Sequence, residues 1–319
     1  MYDVIIIGSG PAGLSAAVYG KRAGLNLLVM EKAPMSGGQV LNTYEVDNYL
    51  GMPGINGFDM GMQFREHAEK LGAEFLETEV LAIEAAETQA EMEAAQSAPA
   101  IHSYIVHTTE GDYETRTILL ATGAEHAHLG VLGEEEFAGR GVSYCATCDG
   151  AFFRGKTVAV VGGGDVALED AIYLSRFCQK VYLIHRRDEL RGARILQEEL
   201  FLKENVEILY SHTVQEIQGN DQVSGVILQN VKTGEHQMLP LDGVFIAVGI
   251  IPNTELVKDM LTCDKAGYVI AGEDCVTNMP GIFVAGDARK KPLRQIITAV
   301  ADGANGITSI SSYLQHNSY

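Results

Sequence analysis

The sequence predicts an α/β fold with two Rossmann-like, three-layer nucleotide-binding domains, one inserted into the other. Three observations predict it. A strand, glycine turn, helix and strand recur in that order at two places. In both, 23 positions separate the first glycine from the residue that ends the second strand. And two apolar strands ending in glycine, 115–123 and 243–249, stand on either side of the second unit, like the entry and exit crossings of an insertion. The expected division is therefore a discontinuous first domain, 1–123 and 245–319, around an inserted domain, 124–244.

The first unit opens with Val4-Ile5-Ile6-Ile7, an apolar run of the kind buried on both faces of a parallel sheet. Gly8-Ser9-Gly10-Pro11-Ala12-Gly13 follows, then a helix through Tyr19 and a strand Leu27-Leu28-Val29-Met30 ending at Glu31. The second repeats the order with Thr157 to Val161, Gly162-Gly163-Gly164-Asp165-Val166-Ala167, a helix through Leu174, and Val181 to Ile184 ending at His185. Gly8 and Gly162 suit the tight turn, Gly10 and Gly164 let backbone approach a pyrophosphate, and Gly13 or Ala167 lets the helix pack close on the strand. The anion then rests on a helix N-terminus, where unpaired N–H groups and the dipole favour it.

The residues that end the two second strands assign the ligands. Glu31 can accept hydrogen bonds from a ribose diol and would repel a 2′-phosphate, which suits FAD or NAD. The second unit offers His185, Arg186, Arg187 and Arg191 instead, and guanidinium forks grip a 2′-phosphate bidentately. The first domain is thus expected to bind FAD and the inserted one NADPH. Downstream, Gly281 to Gly286 is a strand ending at Asp287, an acid placed to hold a flavin's ribityl or phosphate region.

Between the two glycine turns lies Cys145-Ala146-Thr147-Cys148-Asp149. A CxxC pair is either a redox centre or half a metal site. Zinc needs two more ligands, and apart from His126 and His128 no second CxxC or spaced histidine pair supplies them. With nucleotide turns on both sides, the pair points to electrons passing from one nucleotide through another to a disulfide. Asp149 can deliver the proton that a leaving thiolate requires, or can cap a helix N-terminus.

The bulk numbers bound the rest. The chain has 319 residues, 46% apolar and 20% charged, enough for two domains with their own cores. A net charge of −19 argues against polyanionic partners such as nucleic acid or a membrane surface. Val4 begins an apolar strand with no cationic leader before it, and no run of eighteen apolar residues occurs, so a soluble cytoplasmic protein is expected. Five cysteines are too few and odd for a disulfide framework, which fits a reducing compartment and leaves Cys178, Cys263 and Cys275 as packing residues. The stretch Glu84 to Ala100, rich in Ala, Glu and Gln, is read as a solvated excursion without strand character.

Taken in order, the GSGPAG turn, Gly37-Gly38-Gln39, Ala121-Thr122-Gly123, CATCDG, GGGDVALED, HRRDELR, Gly249 to Asn253 with Thr254, GIFVAGD and Arg294-Gln295 resemble the low-molecular-weight bacterial thioredoxin reductases over essentially the whole chain. That resemblance implies an FAD domain interrupted by an NADPH domain, a homodimer, and NADPH-dependent reduction of a thioredoxin disulfide, with rotation of the domains between half-reactions. It makes Cys148 the flavin-facing sulfur, Cys145 the interchange thiol and Asp149 the proton donor and acceptor. It places Gly38, Gln39, Asn48, Val80, Thr122, Gly123, Gly286, Asp287, Arg294 and Gln295 at the flavin with the first glycine turn, and Asp165 and Val166 at the NADPH. Ala167 in place of a third glycine and the long 84–100 excursion are the departures. A thiol oxidase of the same fold, which would not need His185-Arg186-Arg187, and a flavin-bound redox sensor acting by binding alone, which would lack turnover, are the rival readings.

Overall fold

The computed structural model describes residues 1–43, 46, 48–86 and 103–316. They form two compact units: Met1–Thr43, Tyr49–Glu125 and Ile251–Tyr319 make the first, and Tyr44–Asn48 with His126–Ile250 the second.

In the first unit, β1 (Tyr2–Ile7) passes through the Gly8 turn into α1 (Pro11–Arg22), which returns to β2 (Leu27–Glu31). Pro11 presets the first helical turn, and Lys21 and Arg22 complement the dipole at its end. Next come α2 (Gly57–Lys70), capped by Asn56 accepting from Asp59 N at 2.8 Å, then β3 (Glu74–Glu77), β4 (Val80–Ala86), β5 (Ser103–Thr108) and β6 (Gly111–Leu120). The sheet order is β3-β2-β1-β6-β5-β4. The ten residues of β6 divide their partners: the polar half pairs antiparallel with β5, and Ile118 to Leu120 pair parallel with Ile282 to Val284 from near the C-terminus. Side chains of β1 alternate between two cores, Val4 and Ile6 toward α1, Ile5 and Ile7 toward Tyr104 and Val106. Such period-two burial on both faces needs the near-continuous apolar run the sequence supplies.

The chain leaves along β7 (Ala124–His126) and enters the second unit through β8 (Val142–Ser143) and the short α3 (Ala146–Asp149). Then follow β9 (Thr157–Gly162), α4 (Asp165–Ser175), β10 (Lys180–His185), α5 (Arg194–Phe201), β11 (Val206–Tyr210), the strands β12 (His212–Gly219), β13 (Val223–Asn230) and β14 (His236–Pro240), and β15 (Gly243–Ala247). A parallel sheet, β11-β10-β9-β15-β8, is covered on one face by helices and on the other by the antiparallel β12-β13-β14 sheet. This is the expected three-layer unit. The chain returns along β16 (Ile250–Pro252), which pairs with β7, and completes the first unit with β17 (Ile282–Val284) and α6 (Ile296–His316).

Two expectations change. The return crossing is not at 243–249: β15 pairs parallel with β9 from Gly243↔Val158 to Ala247↔Gly162, so the inserted unit extends to Ile250 rather than 244. An apolar strand ending in glycine looks the same in a sheet as in a crossing. The Glu84 excursion also starts later, because Glu84, Ala85 and Ala86 pair with Ile105, Tyr104 and Ser103, and residues 87–100 lie outside the described residues.

Candidate functional site

Around the first glycine turn the structure gathers most residues expected to hold FAD. Gly8 has φ +105°, and a Cβ there would stand 2.4 Å from Ala121 O, which brings Thr122 and Gly123 alongside. Gly10 caps the N-terminus of α1 with nothing within 4 Å of a Cβ position, the open floor a pyrophosphate requires. Gly38, at φ +58°, would touch Gly10 Cα at 3.4 Å, so the turn bearing Gln39 closes over this floor. Gly37 N donates to Ser9 O at 2.9 Å and secures it. From the far end of the chain, the Gly286 turn packs on α1, its Cβ position 2.9 Å from Ala12 Cβ.

The polar groups are set accordingly. Glu31 Oε2 accepts from Ser9 N and Ser9 Oγ, both at 2.8 Å, and Oε1 from Ala33 N at 3.0 Å, which ties the acid to the turn. Thr122 Oγ1 donates to Asn253 O at 2.6 Å and Asn253 Nδ2 to Thr122 O at 3.1 Å, fixing the end of β6. Asp287 Oδ1 is buried without a hydrogen-bonded partner among the described residues. Burial pushes its carboxyl up, and Lys291 and Arg294 oppose this. The Arg294 guanidinium lies 3.9 Å from the Tyr268 ring centroid, next to Gln295 at the approach to α6. An open floor at a helix N-terminus plus a partly exposed carboxylate fits a flavin dinucleotide, the acceptor suiting a hydroxyl rather than a phosphate. Two further expected residues lie on other elements. Asn48 groups with the second unit, and Val80 packs on the sheet core with Ile5 and Met30.

The second turn has the same open floor at Gly164, with nothing within 4 Å of a Cβ. Below it a Cβ on Gly162 would meet Ala167 Cβ at 2.6 Å. Gly163, which the motif leaves unspecified, must also lack a Cβ, since His185 Nδ1 is 2.2 Å from that point. His185 turns inward: it is 4% exposed, its Nε2 donates to Glu189 O at 3.0 Å, and burial followed by Arg191 and Arg187 pushes its pKa down. It braces the loop instead of facing a ligand. Asp165 Oδ1 accepts from Ala193 N at 2.6 Å, and Arg191 N donates to Gly163 O at 2.7 Å, fastening the same loop to the turn. Arg186, Arg187 and Arg191 are exposed, and no side-chain hydrogen bond or ion pair holds them among the described residues. Val166 is exposed at the first turn of α4. An open helix start beside three uncommitted guanidinium groups fits a phosphorylated dinucleotide.

Cys145 and Cys148 are joined as a disulfide, Cα to Cα 5.3 Å, with both residues partly exposed. Cys145 ends the extended segment after β8, Ala146 is buried in the core, and Gly150 lies where a Cβ would meet Leu174 at 3.0 Å. The disulfide is therefore built on α4, the helix that starts at the nucleotide turn. Ser143, which no sequence pattern singled out, organises it: its Oγ donates to Asp149 Oδ2 at 2.6 Å and accepts from Cys145 N at 3.1 Å. Asp149 Oδ1 is buried and unpartnered among the described residues, and burial pushes the carboxyl up against the Ser143 hydrogen bond. The acid makes no side-chain cap, so the capping reading falls. His126 and His128 flank the Tyr144 ring, whose hydroxyl donates to Glu134 at 2.8 Å. Cys178 and Cys275 are buried free thiols, pushed up by burial to about 11 and about 12.

Two nucleotide turns and a disulfide on one chain define a class, and comparison supports it. Residues 2–303 match the family model for pyridine nucleotide-disulphide oxidoreductase. Thioredoxin reductases of Listeria innocua and Bacillus subtilis are 43% and 42% identical, covering 99% of this chain and 94% and 95% of theirs. The crystal structure of thioredoxin reductase from Streptococcus pyogenes is 44% identical with a TM-score of 0.90, covering 99% of both chains. The chain belongs to the pyridine nucleotide-disulphide oxidoreductases and, within them, to the thioredoxin reductase family. It is an oxidoreductase whose cofactors are FAD and NADPH.

Proposed function

We propose that the chain reduces the disulfide of a thioredoxin with electrons from NADPH, passed through FAD to Cys145 and Cys148. The observation that carries this is the disulfide seated on the nucleotide-binding helix, with a buried, unfilled Asp149 oxygen beside it. Bound FAD supplies the conversion of a two-electron hydride into the electron pair that opens a disulfide. The first unit binds it through the Gly8 to Gly13 turn, Glu31, Gly38, Gln39, Thr122, Gly123, Gly286, Asp287, Arg294 and Gln295. The second unit takes NADPH on the Gly162 to Ala167 turn, with Arg186, Arg187 and Arg191 on the 2′-phosphate.

Opening the disulfide leaves two sulfurs as thiolates or thiols. Cys148 remains the flavin-facing sulfur. Cys145, whose Sγ stands 3.4 Å from Thr147 Oγ1, attacks one sulfur of thioredoxin's disulfide. A mixed disulfide forms and thioredoxin's other sulfur departs as a thiolate, which takes a proton. Cys148 then attacks Cys145, restoring the internal disulfide and releasing dithiol thioredoxin. Asp149, its carboxyl pushed up by burial, holds a proton over a wider pH range than a solvated acid and can exchange it with a departing thiolate. Nucleotide turn and dithiol share the second unit and must serve one flavin on the first, so each cycle includes a rotation of the second unit.

The enzyme acts as a homodimer in the cytoplasm. Free thiols at Cys178, Cys263 and Cys275 suit a reducing compartment, and among the described residues no helix is long and apolar enough to cross a membrane. The test is Cys148→Ser. It should stay yellow and be bleached by NADPH, lose turnover, and attack through Cys145 a single-cysteine thioredoxin presented as its aryl mixed disulfide, expelling the aryl thiolate and leaving a stable enzyme–thioredoxin disulfide. Trapping by Cys145→Ser instead would reverse the two roles, and a wild-type protein that NADPH cannot bleach would sink the reading.

A further inference from the structure

Beneath the Gly286 turn lies a buried cluster that the motifs do not explain. Asp302, on α6 and 4% exposed, accepts from four donors: Gly286 N at 3.0 Å, Arg289 Nε at 3.1 Å, Arg289 Nη2 at 2.7 Å and Lys291 Nζ at 3.1 Å. Arg289 also reaches Ala271 O at 3.3 Å. The forked pair of Arg289 with Asp302 is already neutral. A second cation, Lys291, with a side chain only 4% exposed, would be surplus unless another anion shared it. The other anion is Asp287, whose Oδ1 lies 3.4 Å from Lys291 Nζ yet has no hydrogen-bonded partner among the described residues.

We propose that Lys291, anchored by Asp302, is a positioning residue for the flavin: from the buried side it faces Asp287 Oδ1 and keeps the carboxylate ionised, leaving the exposed side of that carboxylate open to a hydroxyl donor. The inference rests on the reading of Asp287 as a flavin residue. The groups that face Asp287 are Lys291 and Arg294 from the segment before α6, Asp302 from α6, and the Tyr268 phenol. Burial and Asp302 push the Asp287 carboxyl up, and of the two cations opposing them Lys291 is the stronger. Removing the lysine should let Asp287 take up a proton as the pH falls, and a neutral carboxyl is the weaker acceptor.

The experiment follows FAD released on dilution of the full-length holoprotein, by flavin fluorescence, from about pH 6 to about pH 9. Wild type should hold FAD with nearly constant affinity. Lys291→Met and Lys291→Gln should bind about tenfold or more weakly at the acid end and recover toward wild type as pH rises. Lys291→Arg should remain flat. A loss equal at every pH, or no loss, overturns the inference. If neither uncharged variant folds while Lys291→Met/Asp287→Asn does, the pairing is supported. If the double variant also fails, lysine serves Asp302 alone and the inference falls. Asp287→Asn with wild-type affinity throughout would instead overturn the flavin reading itself.

Discussion

The two glycine turns keep the same empty floor and build different packing beneath it. Gly10 and Gly164 both face open space, and that is where a pyrophosphate has to lie. Under the first floor, α1 approaches so closely that a Cβ on Gly13 would sit 1.9 Å from Gly8 O, a backbone atom that cannot step aside. Under the second there is room for one methyl, that of Ala167, provided Gly162 has none. The first glycine is strict in both turns, a Cβ on Gly8 or Gly162 standing 2.4 Å from the backbone oxygen of Ala121 or Ala247, and only the third position is relaxed in the second. The floors are set by the ligand, whereas the packing below is a local solution that sequence can vary.

The sharpest way to break this comparison is to exchange the third positions. Gly13→Ala should cost about 1–3 kcal/mol or more and release FAD, because backbone must shift. Ala167→Gly should cost only about 1 kcal/mol, for lost helix propensity and an unfilled methyl. Thermal unfolding with flavin fluorescence checks both, and equal losses would show that the two turns pack alike.

A second contrast lies at the strand ends, where Glu31 is tied to Ser9 but Arg186 and Arg187 are uncommitted. Each charge-assisted hydrogen bond to a 2′-phosphate is worth roughly 1.5–3 kcal/mol, or about ten- to a hundredfold in affinity. Arg186→Ala and Arg187→Ala should weaken NADPH to that extent and leave NADH nearly unchanged in steady-state kinetics. Matching losses with NADH would mean the arginines serve the loop.

The smallest effect concerns the carboxyls, Asp149 in one unit and Asp287 in the other, both pushed up by burial. Ser143 donates to Asp149, which favours the ionised form. Ser143→Ala should therefore raise the Asp149 pKa further and move the corresponding limb of the pH–rate profile upward, with turnover retained. For stability the sign is the reverse of a salt-bridged acid. Since the folded pKa lies above the unfolded one, Asp149 favours the fold when protonated, and that contribution is lost as pH rises from the ordinary carboxyl value through the raised one.

What sequence revealed and what it hid divide along the same line. Glycines, strand ends and the cysteine pair were legible because their spacing is local: 23 positions fix a βαβ unit whatever surrounds it. The membership of β15 was hidden because only its long-range partner β9 decides it. Glu84 to Ala86 have weak β propensity and become strand by pairing with β5. His185 lies in the expected motif, yet its ring turns inward because Gly163 leaves a hole for it. Ser143 and Lys291 belong to no motif, since each acts by reaching a carboxylate that only the fold brings near.

The insertion also sets a timetable for biosynthesis. β17 pairs with β6 although some 160 residues lie between them, and α1 packs in one core with Ile307, Ile310 and Leu314 of α6. At about 5–20 residues per second, the apolar edge of β6 and the open face of α1 wait roughly 10–30 s for partners not yet made. The second unit meanwhile has all its strands by Ala247. A nascent chain stalled far enough beyond Ile250 for that residue to clear the ribosome should therefore protect the inserted unit from protease and leave the first open to it. During that interval the N-terminal half-sheet lacks the strand and helix that complete its core, and the FAD site lacks Gly286 and Asp287.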